Sequence, residues 1–230
     1  MKVIIQTPTP DIEASRQFYS KLGFDLFESK NRILYNEGKI LIHINPDKTA
    51  RPGIQLLKPS WNKEAALLEP SVPLKKIEGG YLLTGPSGVW IYLLETEEEV
   101  GDLSGRTSST TLGNYAGISL ETVDMNRSST FWKILGFQKS MGDESQGWMS
   151  CVSEDQTTIS LMGPNLCPHL FYNPSLTFFN GKNNPAIINK IRALDIPITQ
   201  EITHFNKEGI VDNIIIRDPG GLGFFIFNDG

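Results

Sequence analysis

Hydrophobic residues along this chain follow two alternating periods. Lys2 to Thr7 alternates as a strand does and is stopped by Pro8 and Pro10. In the next stretch Ile12, Phe18, Tyr19 and Leu22 share one face at helical spacing. Asp11 stands where an N-cap belongs, because a short carboxylate accepts from the free N–H groups of a first turn. Gly23 stands where a left-handed residue commonly ends a helix. Asp25 to Ser29, Arg32 to Tyr35 and Lys39 to Asn45 then read as three strands of a meander, with turns at Asn31 and Asn36-Glu37-Gly38. The unit so predicted is strand, helix, three strands.

That unit recurs. Asp124 to Phe137 repeats Asp11 to Phe24 at an offset of 124 − 11 = 113 residues, with Ser15 on Ser128, Phe18 on Phe131, Leu22 on Leu135 and Gly23 on Gly136. Tyr19 faces Trp132, another aromatic residue. A repeat at fixed spacing governs every local assignment, because a unit that cannot bury its apolar face alone must be paired. Two further units carry the same order of elements without shared sequence. In the second, Gly53 to Lys58 reads as a strand, Ser60 to Leu68 as a helix capped by Ser60, and Leu74 to Ile77, Tyr81 to Thr84 and Val89 to Leu94 as strands. In the third, strands at Ala116 to Val123, Gln138 to Met141, Gly147 to Ser153 and Thr157 to Met162 surround the repeated helix. The fourth has a strand at Pro174 to Asn180, a helix from Asn184 with Pro185 at its first position, and strands at Ile198 to Phe205, Ile210 to Ile216 and Gly223 to Phe227. The spacing predicts domains at 1–97 (units 1–46 and 50–97) and 115–230 (units 115–165 and 172–230). The acidic and small-polar stretch between them reads as a linker over 98–114.

Composition narrows the partners. The chain has 230 residues, 39% hydrophobic content and a formal net charge of −5. It has no basic run, so nucleic acid is not expected, and no apolar run near the roughly 18 residues that span a bilayer. The start shows no export signal, so a cytoplasmic location is expected and Cys151 and Cys167 are read as reduced and structural. The run at Glu97 to Glu99 is read as a solvated face.

The repeated segment, together with Asp218-Pro-Gly-Gly-Leu-Gly-Phe-Phe-Ile-Phe227 and the fainter Gly85-Pro-Ser-Gly-Val-Trp-Ile-Tyr92, resembles the vicinal oxygen chelate superfamily. That group contains glyoxalase I, the bleomycin and fosfomycin resistance proteins and the extradiol dioxygenases. The resemblance covers nearly the whole chain. It implies an α+β fold of four βαβββ units in two tandem glyoxalase-like domains with open, curved mixed sheets. In its enzymes a divalent metal is held inside the barrel by a His or Gln on a first strand and a Glu on a last strand. Counting from the motifs, those positions fall at Ile4, Gln55, Gly117 and Ser175, and at Ile42, Tyr92, Ser160 and Phe225. Gln55 alone among them can ligate, so no metal is expected. A one-residue slip would instead bring His43 inward beside Gln6.

Residues in phase with these positions should line a small-molecule pocket. The expected ligand-binding residues are Gln6, Gln55, Trp90, Tyr92, Ser119, Glu121 and Phe225. Glu121, an inward carboxylate, is the candidate acid or base. The expected function is a metal-free protein that binds a partly apolar small molecule in an aromatic-lined cavity, without a cofactor. Such a protein would be a monomer whose halves act as a pseudo-dimer, or a homodimer. The alternatives are a metal-dependent lyase, isomerase or dioxygenase with shifted ligand positions, and a non-catalytic interaction domain.

Overall fold

A computed structural model describes residues 1–29, 32–97 and 110–230. The turn expected at Asn31 and most of the 98–114 segment, including Glu98 and Glu99, lie outside them. The first unit is β1 (Lys2–Pro8), α1 (Ile12–Lys21), β2 (Asp25–Ser29), β3 (Arg32–Asn36) and β4 (Leu41–Asn45). The second is β5 (Gly53–Lys58), α2 (Asn62–Leu68), β6 (Leu74–Ile77), β7 (Gly80–Thr84) and β8 (Trp90–Glu95). The third is β9 (Tyr115–Glu121), α3 (Met125–Ile134), β10 (Gln138–Asp143), β11 (Trp148–Val152) and β12 (Thr158–Met162). The fourth is β13 (Ser175–Phe179), α4 (Asn184–Ala193), β14 (Ile198–Ile202), β15 (Asn213–Arg217) and β16 (Gly223–Phe227).

The strands form two eight-stranded sheets, in the orders β2-β3-β4-β1-β5-β8-β7-β6 and β10-β11-β12-β9-β13-β16-β15-β14. In each sheet the first strands of the two units pair antiparallel, and each also pairs parallel with the last strand of its own unit. One arrangement is thus built four times. Among the described residues, no helix is long and apolar enough to cross a membrane.

The repeated sequence has a repeated structural cause. Asp11 Oδ1 accepts from the Glu13 and Ala14 N–H groups at 2.9 and 3.1 Å, and Asp124 Oδ1 from Arg127 N–H at 2.9 Å. Ser15 and Ser128, both fully buried, each hold the hydroxyl of the threonine that follows the preceding strand: Thr9 and Thr122, at 2.7 Å in both copies. Gly23 and Gly136 take φ of 83° and 96°, a left-handed conformation that a Cβ would strain. Two expected caps differ. Helix α2 begins at Trp61, whose backbone and indole N–H groups donate to Glu95 Oε1 and Leu94 O, rather than at Ser60. Asn184 is buried and donates to the Asp212 and Ile226 carbonyls, so it ties α4 to the sheet instead of capping the helix.

The two sheets share one core. Phe18 and Tyr19 of α1 pack on Phe224 of β16, with ring centroids 5.7 and 6.2 Å apart, while Phe131 of α3 lies next to Gly85 in the first half. The core faces of the inner strands, such as Val3, Ile5, Ile54 and Ile91 in one half and Ile118, Leu176 and Ile226 in the other, belong to the same cluster. Alternation sends the intervening residues to the opposite face of each sheet. There, separate small clusters form from Ile4, Leu34, Leu41 and Leu57 and from Ile202, Ile215 and Phe225.

The 218–221 hairpin joins the halves. Asp218 accepts from Thr7 Oγ1 and Tyr19 Oη of the first half, both at 2.9 Å, and from Leu222 N–H at 2.7 Å. Gly220 lies so close to the Pro8 carbonyl oxygen of β1 that no Cβ fits there.

Candidate functional site

The face of the first sheet turned away from the core carries a polar cluster. Pairing of β1 with β4 sets Gln6 beside His43, and pairing of β5 with β8 sets Gln55 beside Tyr92. Ile42, a position expected to face inward, lies in the core, and His43 takes its place. The register therefore shows the one-residue slip, since adjacent strand residues point to opposite faces.

Gln6 Oε1 accepts from Gln55 Nε2 at 2.7 Å and from Asn45 Nδ2 at 3.1 Å, and Gln6 Nε2 donates to the Arg51 carbonyl at 2.9 Å. Gln55 Nε2 lies 3.1 Å from His43 Nδ1. An amide NH2 can only donate, so Nδ1 is the acceptor and the ring proton sits on Nε2. Burial, and next the Arg32 charge, push His43 down to about 4, which keeps the imidazole neutral at pH 7. Burial raises the Tyr92 phenol above its usual range, while the neighbouring Gln6 and Arg51 pull it the other way. Gln55 Oε1 is buried and has no hydrogen-bond partner among the described residues. A cavity of about 410 Å³ opens beside this cluster, lined by Gln6, Asn45, Arg51, Lys75, Trp90 and Tyr92 among others.

The second half has a different interior. Gly117 pairs with Thr177, Ser119 with Ser160 and Ser175, and Thr177 with Phe225. Ser119 Oγ and Thr177 Oγ1 lie 2.7 Å apart, and the Ser150 and Ser160 hydroxyls 3.1 Å apart. The segment between β12 and β13 delivers His169, whose ring packs against Phe171, Phe225 and Phe227. These surround a cavity of about 580 Å³.

Of the residues expected from sequence, Gln6, Gln55, Trp90 and Tyr92 meet in the first half, while Ser119 and Phe225 meet in the second. Glu121 joins neither group. It lies at the end of β9, where Oε1 accepts from Asn165 N–H at 3.2 Å and its backbone bonds to Asn173. It holds the turn after β12, so its place does not support an acid or base role among the aromatic rings. Sequence counting reaches His43 only through the one-residue slip, and it misses Asn45 and Arg51 in the first cavity and Trp148, His169 and Phe171 in the second. For His43 a signal exists, its alternation in phase with Leu41. For His169 there is none, because it comes from irregular backbone.

Neither thiol is activated. Burial raises Cys151 and Cys167, and Glu121 adds to the rise at Cys167.

The superfamily's enzymes imply a divalent metal, and the two halves answer that requirement differently. In the second half the ligand positions hold Gly117, Ser160, Ser175 and Phe225, and they and the neighbouring Ser119 and Thr177 offer no imidazole and no carboxylate. They do not fit a metal. In the first half, a neutral imidazole and two amide groups converge, one of them with an unsatisfied buried carbonyl. Turned over, the Gln55 amide offers that oxygen to the same point. The set offers donor types that a borderline cation accepts, with His43 Nδ1 and Gln6 Oε1 both held by the Gln55 amide nitrogen. It lacks an anionic ligand, and no group of three His, Cys, Asp or Glu side chains occurs among the described residues.

No sequence family and no curated protein matches the chain at the level of sequence. Solved structures do match. A variant of homoprotocatechuate 2,3-dioxygenase from Brevibacterium fuscum superposes with a TM-score of 0.58 at 18% identity, covering 98% of this chain and 70% of that one. The homoprotocatechuate 2,3-dioxygenase from Arthrobacter globiformis gives 0.58 at 17% identity, over 96% and 78%. A catechol 2,3-dioxygenase gives 0.52 at 14% identity, over 98% and 87%. These matches correct the expectation of a metal-free binding protein. These three structures, which share the fold along nearly the whole chain, are of dioxygenases, which sits better with the dioxygenase alternative than with a metal-free binding protein. The chain carries the fold of the vicinal oxygen chelate superfamily, in the tandem two-sheet form of the extradiol dioxygenases.

Proposed function

We propose that this protein is a metal-dependent enzyme of the dioxygenase kind, with its centre at Gln6, His43 and Gln55 on the first sheet. The observation that carries the reading is the buried Gln6–Gln55–His43 cluster, in which the Gln55 amide nitrogen meets a neutral imidazole and a second amide while its carbonyl oxygen has no partner among the described residues. An unsatisfied buried polar atom costs about 1–3 kcal/mol and calls for a compensating role. A divalent metal bound there would supply Lewis-acid polarisation of substrate oxygens and a place for dioxygen.

The chain's own residues bind and orient the substrate. The adjoining cavity, about 410 Å³, suits a molecule of one or two rings. Trp90 and Tyr92 provide aromatic surface, and Arg51 and Lys75 at the lining favour an anionic substituent. The Tyr92 hydroxyl, kept protonated by burial, lines the cavity and is available to donate to a substrate oxygen. The names of the fold relatives, which act on catechol and homoprotocatechuate, suggest an aromatic diol as the substrate class.

Titration of the intact protein with manganese, iron(II) and zinc tests the centre, followed by dioxygen uptake with catechol. Saturable binding of one ion, weakened about tenfold or more in His43→Ala, is the expected result. Absence of saturable binding by any of the three ions overturns the proposal.

A further inference from the structure

Each open sheet ends in two edge strands: β2 and β6 in the first half, β10 and β14 in the second. An edge strand presents a row of unpaired N–H and C=O groups to which another strand can add, and proteins blunt such edges with lysines, bulges or brevity. Three of these four are blunted. β6 has four residues, two of them the exposed Lys75 and Lys76. β10 shifts register between Lys139 and Met141, and its Lys139 is exposed. β14 shifts register between Ile198 and Gln200.

β2 has neither a lysine nor a register shift. It pairs with β3 without a break over its five residues, and its outer edge meets no other strand among the described residues. Leu26 and Phe27, at its middle, are 49% and 40% exposed. Neighbouring strand residues face opposite ways, so the edge is apolar on both faces of the sheet. Leu26 stands beside Tyr35 of the core, and Phe27 beside Leu34 on the opposite face. The internal repeat supplies a comparison. At the offset of 113 residues, Leu26 falls on Lys139 and Phe27 on Ser140, so the strand at the same place in the other half is polar at both positions. The fold itself therefore does not require apolar residues there.

We propose that β2 is the docking edge for a second copy of this chain, the two β2 strands pairing antiparallel about a two-fold axis through Phe27. A second copy suits this edge by its symmetry. In that register each Phe27 faces its counterpart, and the partner strand covers each Leu26. The two Asp25 carboxylates stand at opposite ends of the ladder, so these like charges do not face each other. The two first-half sheets then run on as one, and the open edge is satisfied. A ladder of five residues is small beside the area that holds a permanent dimer, so the association is reversible, with a dissociation constant on the order of micromolar. The inference does not rest on the proposed metal centre.

Sedimentation velocity of the intact protein, from about 1 to 200 μM, tests the edge. The expected result is a shift from monomer to dimer with concentration. Leu26→Lys combined with Phe27→Ser, which gives β2 the residues that β10 carries, should remain monomeric over that range with an unchanged far-ultraviolet circular dichroism spectrum. Cross-linking checks the register without relying on that variant. Cys151 is buried, so Cys167→Ser leaves no exposed native thiol among the described residues. In that background Phe27→Cys should give a disulfide-linked dimer on mild oxidation, because directly opposed residues have Cα atoms about 4.5–5.5 Å apart. Leu26→Cys, which meets its counterpart only diagonally, should cross-link at least about tenfold more slowly. A wild-type protein that stays monomeric throughout, a dimer that survives the double substitution, or equal cross-linking at the two positions would overturn the proposal.

Discussion

The decisive residue of the first half is Gln55. It stands at a first-strand position where the resemblance implies a His or Gln ligand, and the carbonyl half of its amide is unsatisfied. A neutral amide oxygen is a weak ligand for a divalent ion, while a carboxylate adds charge at the same reach. Gln55→Glu is therefore expected to tighten manganese binding by at least about tenfold, measured by calorimetric titration of the intact protein. Gln55→Leu should abolish the interaction and leave Gln6 Oε1 with Asn45 as its remaining donor in the cluster. If the glutamate variant folds and binds manganese no better than wild type, the cluster is a hydrogen-bond network and not a ligand set. The second decisive residue is His43. Its identity is plain in the sequence, but its direction is not, because facing depends on register and a strand has only two faces.

Among the elements, the strand-to-helix joint is the repeated part. The same offset carries Asp, Ser and Gly: the aspartate caps the helix, the serine ties it to the preceding strand, and the glycine ends it. Ser15→Ala and Ser128→Ala each remove one buried hydroxyl–hydroxyl bond while the threonine keeps its bonds to the Asp11 or Asp124 backbone, and should each cost about 1 kcal/mol. The two ties lie in different halves and share no partner, so the double variant should lose about the sum, checked by urea unfolding. The helices and most strands are legible because periodicity and capping chemistry are local. The reading fails where a long-range contact overrides a local signal. Trp61 starts α2 because its two N–H groups are held by β8, and Asn184 is consumed by the carbonyls of two other segments. Phase alone places Glu121 inward. Its carboxylate instead answers a backbone N–H presented by a turn that no periodicity reveals.

In the molecule as a whole, two buried titrating groups pull stability in opposite directions. His43 has a folded value of about 4 against an ordinary value of 6.5. Between those values the unfolded chain binds the proton and the folded chain does not, so stability falls as pH drops through that window. Asp218, at the seam between the halves, is raised from 3.8 to about 6, chiefly by burial. There the folded chain holds the proton that the unfolded chain has lost, and stability falls as pH rises from about 4 towards 6. Each slope amounts to about 3 kcal/mol at most, so they nearly cancel in wild type. Replacing either group should unmask the other. Asp218→Asn is expected to show melting temperature rising with pH between about 4 and 6.5, and His43→Gln to show it falling between about 4 and 6, by calorimetry. Parallel profiles in the two variants would contradict this assignment. Tyr19→Phe removes one of the donors that hold the Asp218 carboxylate and should raise its pKa further, steepening the loss with rising pH.

The number of units, their order, their helix boundaries within a residue or two, and the fold family can all be read along the chain. They follow from local periodicity, capping and a repeat, which are properties of sequence neighbours. Which polar side chains meet is settled by folding alone. Folding brings Gln6, His43 and Gln55 together from three strands and delivers His169 and Phe171 from an irregular segment. It also sets Asp218 against Thr7 and Tyr19, some two hundred residues away in sequence. The reason is physical: strand alternation fixes that a side chain lies on one of two faces, but only pairing register and the packing of one sheet on the other choose which, and what stands opposite.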